Sequence, residues 1–343
     1  MKRRELLLGL ALALAPWLTL TQAGSAPATA TVFGRPPPRI KRVFAAGAPA
    51  GVLACVLAPD TLLGWPMPLS TEARGWLPPV ARSLPFVGRL AGRGTTMPVE
   101  TLLQLQPDLI LDAGSLDATY VSTARKVAQQ TGLPYVLTGG LLAQLPAQLR
   151  EIGRLLGRAT RGETLATHAE QLLAQAARVR AALPASARPG VYLGRGADGL
   201  ETGLDGSLNM EIIAAAGGRN VAAAAGQGGL ARVSLEQVLA WNPDVILTQD
   251  PAFAARARRD PAWRALSAVR NGRVHCAPTL PFGWLDGPPG VNRLIGLPWL
   301  LARLHREPAR VRALPATVSA FYRLFYGIEL TATQRDRLLG EEG

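Results

Sequence analysis

The chain has 343 residues, a formal net charge of +13, two cysteines and three histidines. With 48% hydrophobic and 18% charged residues, it is too apolar for a disordered protein and long enough for one large domain or two lobes. Two cysteines exclude a disulfide scaffold, and three histidines leave few ligands for a histidine-rich metal site. The basic residues are scattered and form no aromatic and basic module, which argues against nucleic-acid binding. The positive charge reflects either GC-rich coding or attraction to an anionic partner.

The N-terminus has the pattern of an export signal. Lys2, Arg3 and Arg4 precede an apolar run over 6–18 that is too short to span a bilayer, and small residues follow as far as Ala23. We predict a signal peptide over 1–23, exported by either the general or the twin-arginine route. Residues 24–39 are rich in Ala, Thr and Pro and predict an extended leader.

A short unit occurs twice in the body of the chain, at 100–111 and again at 236–247. Glu, Leu, Pro, Asp, Ile and Leu recur in it at identical offsets. Each copy predicts a short amphipathic helix that ends before a Pro-Asp pair, because proline lacks an N–H donor and restricts its predecessor. The apolar run that follows does not alternate, which is typical of a strand buried on both faces of a parallel sheet. Two copies predict two lobes of similar α/β architecture.

Further strands and one long helix complete the predicted organisation. Strand patterns lie at 42–45, 135–138, 190–193 and 273–277. Apolar or small residues at helical spacing lead up to Pro184, which stops the helix. The predicted parts are a first α/β lobe over 40–160, a bridging helix over 161–184, and a second α/β lobe with C-terminal helices over 185–343.

The double unit, the bridging helix and the export signal together resemble the class III periplasmic binding proteins over roughly residues 40–330. Other matching stretches are 112–120, 131–135, 203–209, 263–274 and 281–293. The resemblance implies two Rossmann-like lobes with central parallel sheets, joined by a single long bridging α-helix. Members of this family deliver ferric siderophores, haem, cobalamin and some metal or oxyanion ligands to ABC importers.

The resemblance implies a periplasmic, monomeric solute-binding component that is not an enzyme and holds no resident cofactor. The stretch 281–293 is similar to members that carry iron complexes, and the positive charge favours an anionic chelate, so the predicted cargo is an iron chelate of the ferric siderophore type. Cobalamin, haem, molybdate and a nickel chelate remain alternative cargoes, because the loops determine cargo and the lobe motifs do not. Outside transport, the alternatives are a sensory protein that presents ligand to a signalling partner and a secreted enzyme, although no nucleophile–base pair favours the enzyme.

Glu100 and Glu236 occupy the same offset in the two copies of the unit. In the resembling family, a glutamate at this position on each lobe docks onto arginines of the permease dimer. An exposed ion pair contributes only about 0–1 kcal/mol, so such contacts set orientation more than affinity. The competing interpretation is that a glutamate in a first helical turn stabilises the helix dipole.

Ligands of open α/β sheets bind outside the carboxyl ends of the strands. Loops that follow strands, or that flank the cleft, supply the candidate ligand contacts: Arg195, Trp284, Tyr120, Asp286, Ser115 and Arg89, with Arg93 close to the last of these.

Arg195 is the leading candidate, because a guanidinium binds a carboxylate, a catecholate or an oxyanion through two parallel hydrogen bonds. Trp284 offers a flat wall for an aromatic or macrocyclic ligand, and Tyr120 a phenol that hydrogen-bonds a chelate or ligates ferric iron. Asp286 is expected to order its own loop in preference to contacting ligand. Arg293 is expected to belong to the helix that follows.

Two weaker patterns are not interpreted as sites. Residues 194–199 spell Gly-x-Gly-x-x-Gly after a strand, but no helix opens at once and no suitable acidic residue follows about 20 positions on, so no dinucleotide site is predicted. The histidines are dispersed and the two cysteines fall in different lobes, so neither a direct metal site nor an internal disulfide is predicted.

Overall fold

The computed structural model describes residues 29–91 and 97–340, which form two α/β lobes connected by one long helix. The strands of the first lobe are β1 (Ala30–Phe33), β2 (Val43–Ala45), β3 (Leu109–Gly114) and β4 (Tyr135–Gly139). Its helices are α1 (Ala48–Leu57), α2 (Thr71–Gly75), α3 (Pro79–Arg82), α4 (Val99–Gln104), α5 (Ala118–Thr131) and α6 (Leu145–Leu155). The strand order is β1-β4-β3-β2, with β2, β3 and β4 parallel.

After the connecting helix α7 (Ala159–Ala182), the second lobe repeats this layering. Its strands are β5 (Gly190–Leu193), β6 (Glu201–Gly203), β7 (Arg219–Asn220), β8 (Leu230–Arg232), β9 (Val245–Thr248) and β10 (Val274–Cys276). Its helices are α8 (Glu211–Ala215), α9 (Leu235–Trp241), α10 (Pro251–Arg259), α11 (Pro261–Arg264) and α12 (Ser267–Arg270). The parallel sheet has the order β10-β9-β5-β7, while β6 and β8 form an antiparallel pair beside it.

Both copies of the repeated unit adopt the predicted helix–turn–strand structure. The residue before each proline has a positive φ, 46° at Gln106 and 40° at Asn242, which reverses the chain after the helix. The aspartate after each proline then binds the neighbouring strand: Asp108 accepts hydrogen bonds from the N–H groups of Lys41 and Arg42, at 2.8 and 3.0 Å. Asp244 accepts one from the N–H of Gly190 at 2.6 Å. The Pro-Asp pair therefore fixes the start of the adjacent parallel strand in each lobe.

The bridging helix α7 confirms the predicted connection between the lobes. It has 24 residues, so it is about 36 Å long at the α-helical rise, and it ends at the residue before Leu183 and Pro184. The predicted fold class, two α/β lobes with parallel central sheets and one long connecting helix, is therefore correct. No helix in the two described ranges is long and apolar enough to cross a membrane.

The predicted leader over 24–39 requires a correction, because part of it belongs to the first lobe. Residues 30–33 form the edge strand β1, which pairs antiparallel with β4. Thr29 is anchored as well, since its N–H donates to Glu151 at 2.9 Å. The alternation of small and β-branched residues here is too short to separate an edge strand from extended chain. Residues 1–28, including the predicted signal peptide, lie outside the described residues.

The C-terminal helices α13 (Arg293–His305), α14 (Pro308–Tyr326) and α15 (Ala332–Leu339) follow the second lobe but pack back onto the first. The ring of Tyr322 lies 5.9 Å from that of Trp76, and Arg161 of α7 donates to the carbonyl of Phe325 at 3.1 Å. One continuous apolar core therefore contains residues of both lobes and of α7. The predicted boundary, which gave these helices to the second lobe alone, does not describe their packing.

An ion pair between the buried Arg293 and the partly exposed Glu211 also contacts both lobes. Arg293, the first residue of α13, is fully buried and donates to the carboxylate of Glu211 at 2.9 Å and to the carbonyl of Gly140 in the first lobe. The same Glu211 oxygen accepts from the N–H of Leu142 at 3.0 Å. Arg293 thus begins the helix as predicted, and its guanidinium also couples the end of β4 to the second lobe.

Candidate functional site

The carboxyl ends of the second-lobe strands carry a polar cluster built around Asp286. This side chain is 1% exposed, and one of its oxygens accepts from Arg195 Nε at 2.6 Å and from Asn209 Nδ2 at 2.8 Å. The other oxygen accepts from Gln249 Nε2 at 2.9 Å. Burial raises the pKa of Asp286, and the Arg195 charge and the Asn209 hydrogen bond oppose that shift. Asp286 therefore positions Arg195 as well as ordering the loop on which it lies.

Arg195 follows β5 and is held in a short hairpin. Its N–H donates to the carbonyl of Glu201 at 2.8 Å, and its guanidinium forms a second ion pair with the Glu201 carboxylate. The glycines of this hairpin serve packing: a Cβ at either Gly194 or Gly199 would overlap the ring of Phe253. Gly196 has a φ of 75°, so packing and backbone conformation together explain the Gly-x-Gly-x-x-Gly spacing without a dinucleotide.

A cavity of about 340 Å³ opens over this cluster. Its lining is Leu193, Arg195, Gly196, Glu201, Thr248, Gln249, Asp250 and Asp286. The guanidinium is therefore accessible, with 24% of its side chain exposed, but two carboxylates already share its charge. The sequence identified Arg195 and Asp286; it gave no sign that Gln249 and Asn209, distant in the chain, would join them.

The first-lobe edge of the cleft has a different character. Leu116, Tyr120 and Leu141 follow β3 or β4 and are 40%, 36% and 43% exposed. Leu116 packs over Gly139 at the end of β4, which brings the loops after β3 and β4 together. The two leucines were not predicted as site residues, because an apolar residue after a strand does not reveal from sequence whether it faces solvent.

Ser115 has a local partner in this structure. Its hydroxyl donates to Asp117 at 2.6 Å, and the other Asp117 oxygen accepts from the N–H groups of Thr119 and Tyr120 at the start of α5. The Ser115 hydrogen bond and these backbone donors lower the pKa of the exposed Asp117. Ser115 and Asp117 therefore begin the helix that presents Tyr120 at the cleft edge.

The prediction that Trp284 lines the cleft is wrong. Its side chain is fully buried, and its indole N–H donates to the hydroxyl of Tyr322 at 3.2 Å. Asn292 closes the loop from 281 to 292 by donating from Nδ2 to the carbonyl of Phe282 at 2.9 Å, and the hydroxyl of Tyr326 on α14 donates to Asn292 Oδ1, which holds the loop against the core. A tryptophan in a proline-rich loop carries no sequence signal for which side of that loop it packs on.

Arg89 lies beside the first-lobe strand ends. The next two residues, Leu90 and Ala91, both donate their N–H groups to the carbonyl of Ala46 directly after β2, at 2.9 Å each. This places the half-buried Arg89 at the carboxyl edge of the first sheet, on the same edge as Tyr120. Arg93 lies outside the described residues.

Glu100 and Glu236 are both exposed in the first turns of α4 and α9. Hydrogen bonds from its own N–H and from Ser234 lower the pKa of Glu236. Each lobe therefore presents one carboxylate to solvent at an equivalent place. Within the described ranges, no group of three or more His, Cys, Asp or Glu is arranged to hold a metal ion.

Comparison with known proteins gives a family match across both lobes. The family model described as periplasmic binding protein matches residues 87–279, more than half of the chain. The curated molybdate-binding protein MolA of Haemophilus influenzae is 36% identical over 114 residues, which is 32% of this chain and 32% of that protein. The match thus spans about a third of the length of this curated relative.

Two solved structures extend the similarity to nearly the whole chain. An ABC transporter solute binding protein from Sulfurospirillum deleyianum is 28% identical with a TM-score of 0.80, covering 88% of this chain and 94% of its own. Molybdate-bound MolA of Haemophilus influenzae is 23% identical with a TM-score of 0.70, covering 87% and 96%. At that identity the second likeness concerns the fold alone.

Proposed function

The chain belongs to the periplasmic binding protein family, and on that premise we propose that it captures an iron chelate of the ferric siderophore type between its lobes and delivers it to an ABC permease. Residues 1–23 direct export in this proposal and are then removed, and the mature protein acts as a monomer without a resident cofactor. The protein binds and releases its cargo and performs no chemistry on it.

The observation that carries this proposal is the unequal pair of cleft edges. One edge exposes Leu116, Tyr120 and Leu141 beside the half-buried Arg89, and the other presents Arg195 within its carboxylate and amide cluster. Ligand pockets typically combine apolar walls with a few placed polar groups, and burial of apolar surface contributes about 25 cal/mol per Å². A chelate with an organic body and anionic donor groups satisfies both edges at once.

Molybdate is the second candidate, because the curated relative and one solved neighbour are named as molybdate-binding. A bare tetrahedral oxyanion needs several donors and makes no use of an apolar wall. At the second-lobe edge it would also meet Glu201 and Asp286, which already occupy Arg195. Because the two carboxylates would face any anion at this edge, it is the exposed apolar edge that ranks molybdate below a chelate for this cleft.

The test is a tryptophan-fluorescence titration of the mature protein, with thermal shift as an independent readout. The panel holds ferric catecholate, hydroxamate and carboxylate siderophores, haem, cobalamin, molybdate and nickel–histidine. Saturable binding of a ferric chelate supports the proposal. Binding of molybdate or cobalamin alone would keep the transport role and refute the iron chelate.

Two substitutions identify the contacts. Arg195→Ala should weaken binding of the ferric chelate about 10- to 100-fold, since a charge-assisted hydrogen bond contributes about 1.5–3 kcal/mol. Arg232→Ala is the matched control. Arg232 on β8 forms an exposed ion pair with Asp198, so this variant removes the same charge. Equal effects of the two variants would show that general charge, and not Arg195, attracts the ligand.

The apolar edge has its own variant. Leu116→Asn should weaken a chelate while leaving molybdate binding, if there is any, unchanged. Leu103→Asn provides the control, since Leu103 is 43% exposed on α4, away from the strand ends. An unchanged chelate affinity in Leu116→Asn would refute the role of the apolar edge.

Release in this proposal needs only a small relative movement of the lobes. The rigid α7 connection, the shared core and the ion pair of the buried Arg293 with Glu211 all oppose wide closure. Small-angle scattering should therefore give similar profiles with and without the bound chelate. A large compaction on binding would contradict this.

A further inference from the structure

Six arginines gather at one end of the second lobe, and they are not used by the proposed ligand cleft. They are Arg256, Arg258, Arg259, Arg264, Arg270 and Arg273, and together they are called the basic end. Asp260 is the single acidic residue in the same stretch of sequence, 256–273. These residues lie at the end of α10, on α11 and α12, and directly before β10.

The basic end lacks compensating carboxylates. Arg258 donates to the carbonyl of Val274 at 2.7 Å, and Arg270 donates to the carbonyl of Ala265 and to Ser267 Oγ. Arg256 lies over the ring of Phe253, 5.6 Å from its centroid. None of the six forms an ion pair with a carboxylate of the described residues, whereas Arg150, Arg195 and Arg232 elsewhere do. Backbone carbonyls hold Arg258, Arg270 and Arg273 and, unlike carboxylates, leave their charge in place.

Three of the six arginines, Arg258, Arg264 and Arg270, line an open groove. Its volume is about 650 Å³, and its lining is Arg258, Pro261, Arg264, Ala265, Val269 and Arg270. The positive potential extends to the half-buried His275 on β10, whose pKa is lowered to about 4 by burial and by nearby arginines that include Arg258 and Arg273. A phosphate group entering this groove would meet three guanidiniums.

The basic end faces away from the ligand cleft. α10 begins after the carboxyl end of β9 and runs back, so its last turn lies at the amino ends of the strands. Arg273 and Val274 lie at the same end, where β10 starts. Glu236 is at the opposite end of the lobe, because α9 runs towards the start of β9 and Glu236 is in its first turn.

We propose that the basic end is a second interaction surface, through which the protein adsorbs to the phosphate headgroups of an anionic membrane. Adsorption leaves the cleft open and directed away from the membrane, so the protein captures ligand while held at the surface. Glu236 is also left free for a separate docking event. This inference concerns a different face of the molecule and does not depend on the identity of the cargo.

A membrane fits this surface better than a specific protein partner does. Stable protein interfaces contain an apolar or aromatic core with a polar rim. None of the exposed large hydrophobic side chains in the described residues belongs to 250–275. A cluster of guanidiniums without an apolar centre suits a diffuse anionic surface, to which each basic residue adds about fivefold in affinity until salt screens it.

The experiment is vesicle co-sedimentation of the mature wild-type protein. The vesicles contain phosphatidylglycerol and phosphatidylethanolamine, with pure phosphatidylcholine vesicles as the neutral comparison. We expect binding to the anionic vesicles at low salt, little binding to neutral ones, and loss of binding at high salt. No binding to the anionic vesicles at low salt, or equal binding to both kinds, would overturn the proposal. Retention on an immobilised acidic protein without vesicle binding would overturn it in favour of a protein partner.

Matched charge variants separate the basic end from net charge. Substituting Arg258, Arg264 and Arg270 by Gln should lower the vesicle partition coefficient about 100-fold, from about fivefold per residue. The control replaces Arg154, Arg178 and Arg312, which are exposed on α6, α7 and α14, by Gln. Both triple variants are first compared with wild type by circular dichroism and thermal unfolding, and if the first has unfolded, Arg264→Gln replaces it. A loss in the control as large as in the groove variant would refute the role of the basic end.

Discussion

The α4–β3 unit of the first lobe and the α9–β9 unit of the second share one backbone structure but differ at the cleft end of the strand. In both, a positive-φ residue, a proline and an aspartate connect the helix to the strand, and the aspartate binds the adjacent strand. Four positions beyond that aspartate, the first copy has the buried Asp112 and the second the buried Thr248. Beyond these, the first lobe exposes apolar residues, and the second builds the polar Gln249–Asp286 cluster.

This difference shows which parts of a duplicated unit are constrained. The helix–turn–strand segment must satisfy the same backbone hydrogen bonds in each lobe, so its residues recur. The residues after the strand lie at an open sheet edge, where no backbone pattern restricts their chemistry. The two edges consequently differ, one largely apolar and the other charged. Four predictions test the residues that join the two lobes and those that distinguish them.

The largest effect is expected where the two halves are joined. Glu211→Ala should lower the free energy of unfolding by about 3–5 kcal/mol, because it leaves the buried Arg293 guanidinium without its carboxylate. Urea denaturation measures this. Glu163→Ala is the control, since Glu163 is exposed and Arg150 keeps Glu170 as a partner, and the loss of stability should stay within about 1 kcal/mol. If Glu211→Ala also lowers the free energy of unfolding by no more than about 1 kcal/mol, Glu211 does not stabilise the contact between the lobes.

The equivalent aspartates come next. Asp108→Ala and Asp244→Ala should each lower the free energy of unfolding by about 1–3 kcal/mol, because each leaves backbone donors of the adjacent strand without an acceptor. Asp108→Ala should lower the free energy of unfolding more than Asp244→Ala does, since Asp108 accepts from two N–H groups and Asp244 from one. The Asn variants, which keep an acceptor oxygen, are the controls. If only one alanine variant loses stability, the two copies are not structurally equivalent.

A pH dependence distinguishes Asp112 from its counterpart Thr248. Burial raises the pKa of Asp112, and hydrogen bonds from Tyr135 and the N–H of Ala113 oppose the shift. Its stabilising contribution is therefore present below the ordinary aspartate pKa of about 4 and is lost as pH rises through the raised folded-state value. Asp112→Asn should remove this decline. The melting temperature of the variant should therefore rise relative to that of wild type as pH increases.

Asp117→Asn is the control of opposite sign. The lowered pKa of Asp117 means that its stabilising contribution is lost as pH falls. The melting temperature of this variant should therefore lie further below that of wild type at neutral pH than at acidic pH. Parallel melting curves of wild type and Asp112→Asn across pH would show that the Asp112 carboxylate does not titrate differently on folding.

The smallest effect on the fold should come from Glu100 and Glu236, the two glutamates that we propose dock onto the permease. Glu100→Lys and Glu236→Lys, alone or together, should change the free energy of unfolding by no more than about 1 kcal/mol each, since both side chains are exposed in the first turn of a helix. The double variant should nevertheless abolish ligand-stimulated ATPase activity of the permease, with each single variant intermediate. Intact transport in the double variant would favour the sensory alternative.

Much of the second-lobe cluster could be predicted, and much of the first-lobe edge could not. The sequence points to Arg195 because a guanidinium on a glycine-flanked loop after a strand suits an anionic ligand, and to Asp286 because a carboxylate can order its own loop; the structure places the two in one ion pair. Trp284 was misplaced because burial of a loop side chain depends on helices α13 and α14, which lie far along the chain. Leu116 and Leu141 were missed since their exposure depends on how the two loops pack together.

The sequence by itself determined the two-lobe α/β fold, the bridging helix and the family, because periodicity, proline placement and an internal repeat are local signals that survive without contacts. Only the tertiary structure decided that residues 30–33 complete a sheet, that the C-terminal helices return to the first lobe, and that Arg293 joins the halves. It also decided that Arg258, Arg264 and Arg270 line one groove. These features depend on contacts between residues far apart in the chain, and such contacts form only when the whole core packs.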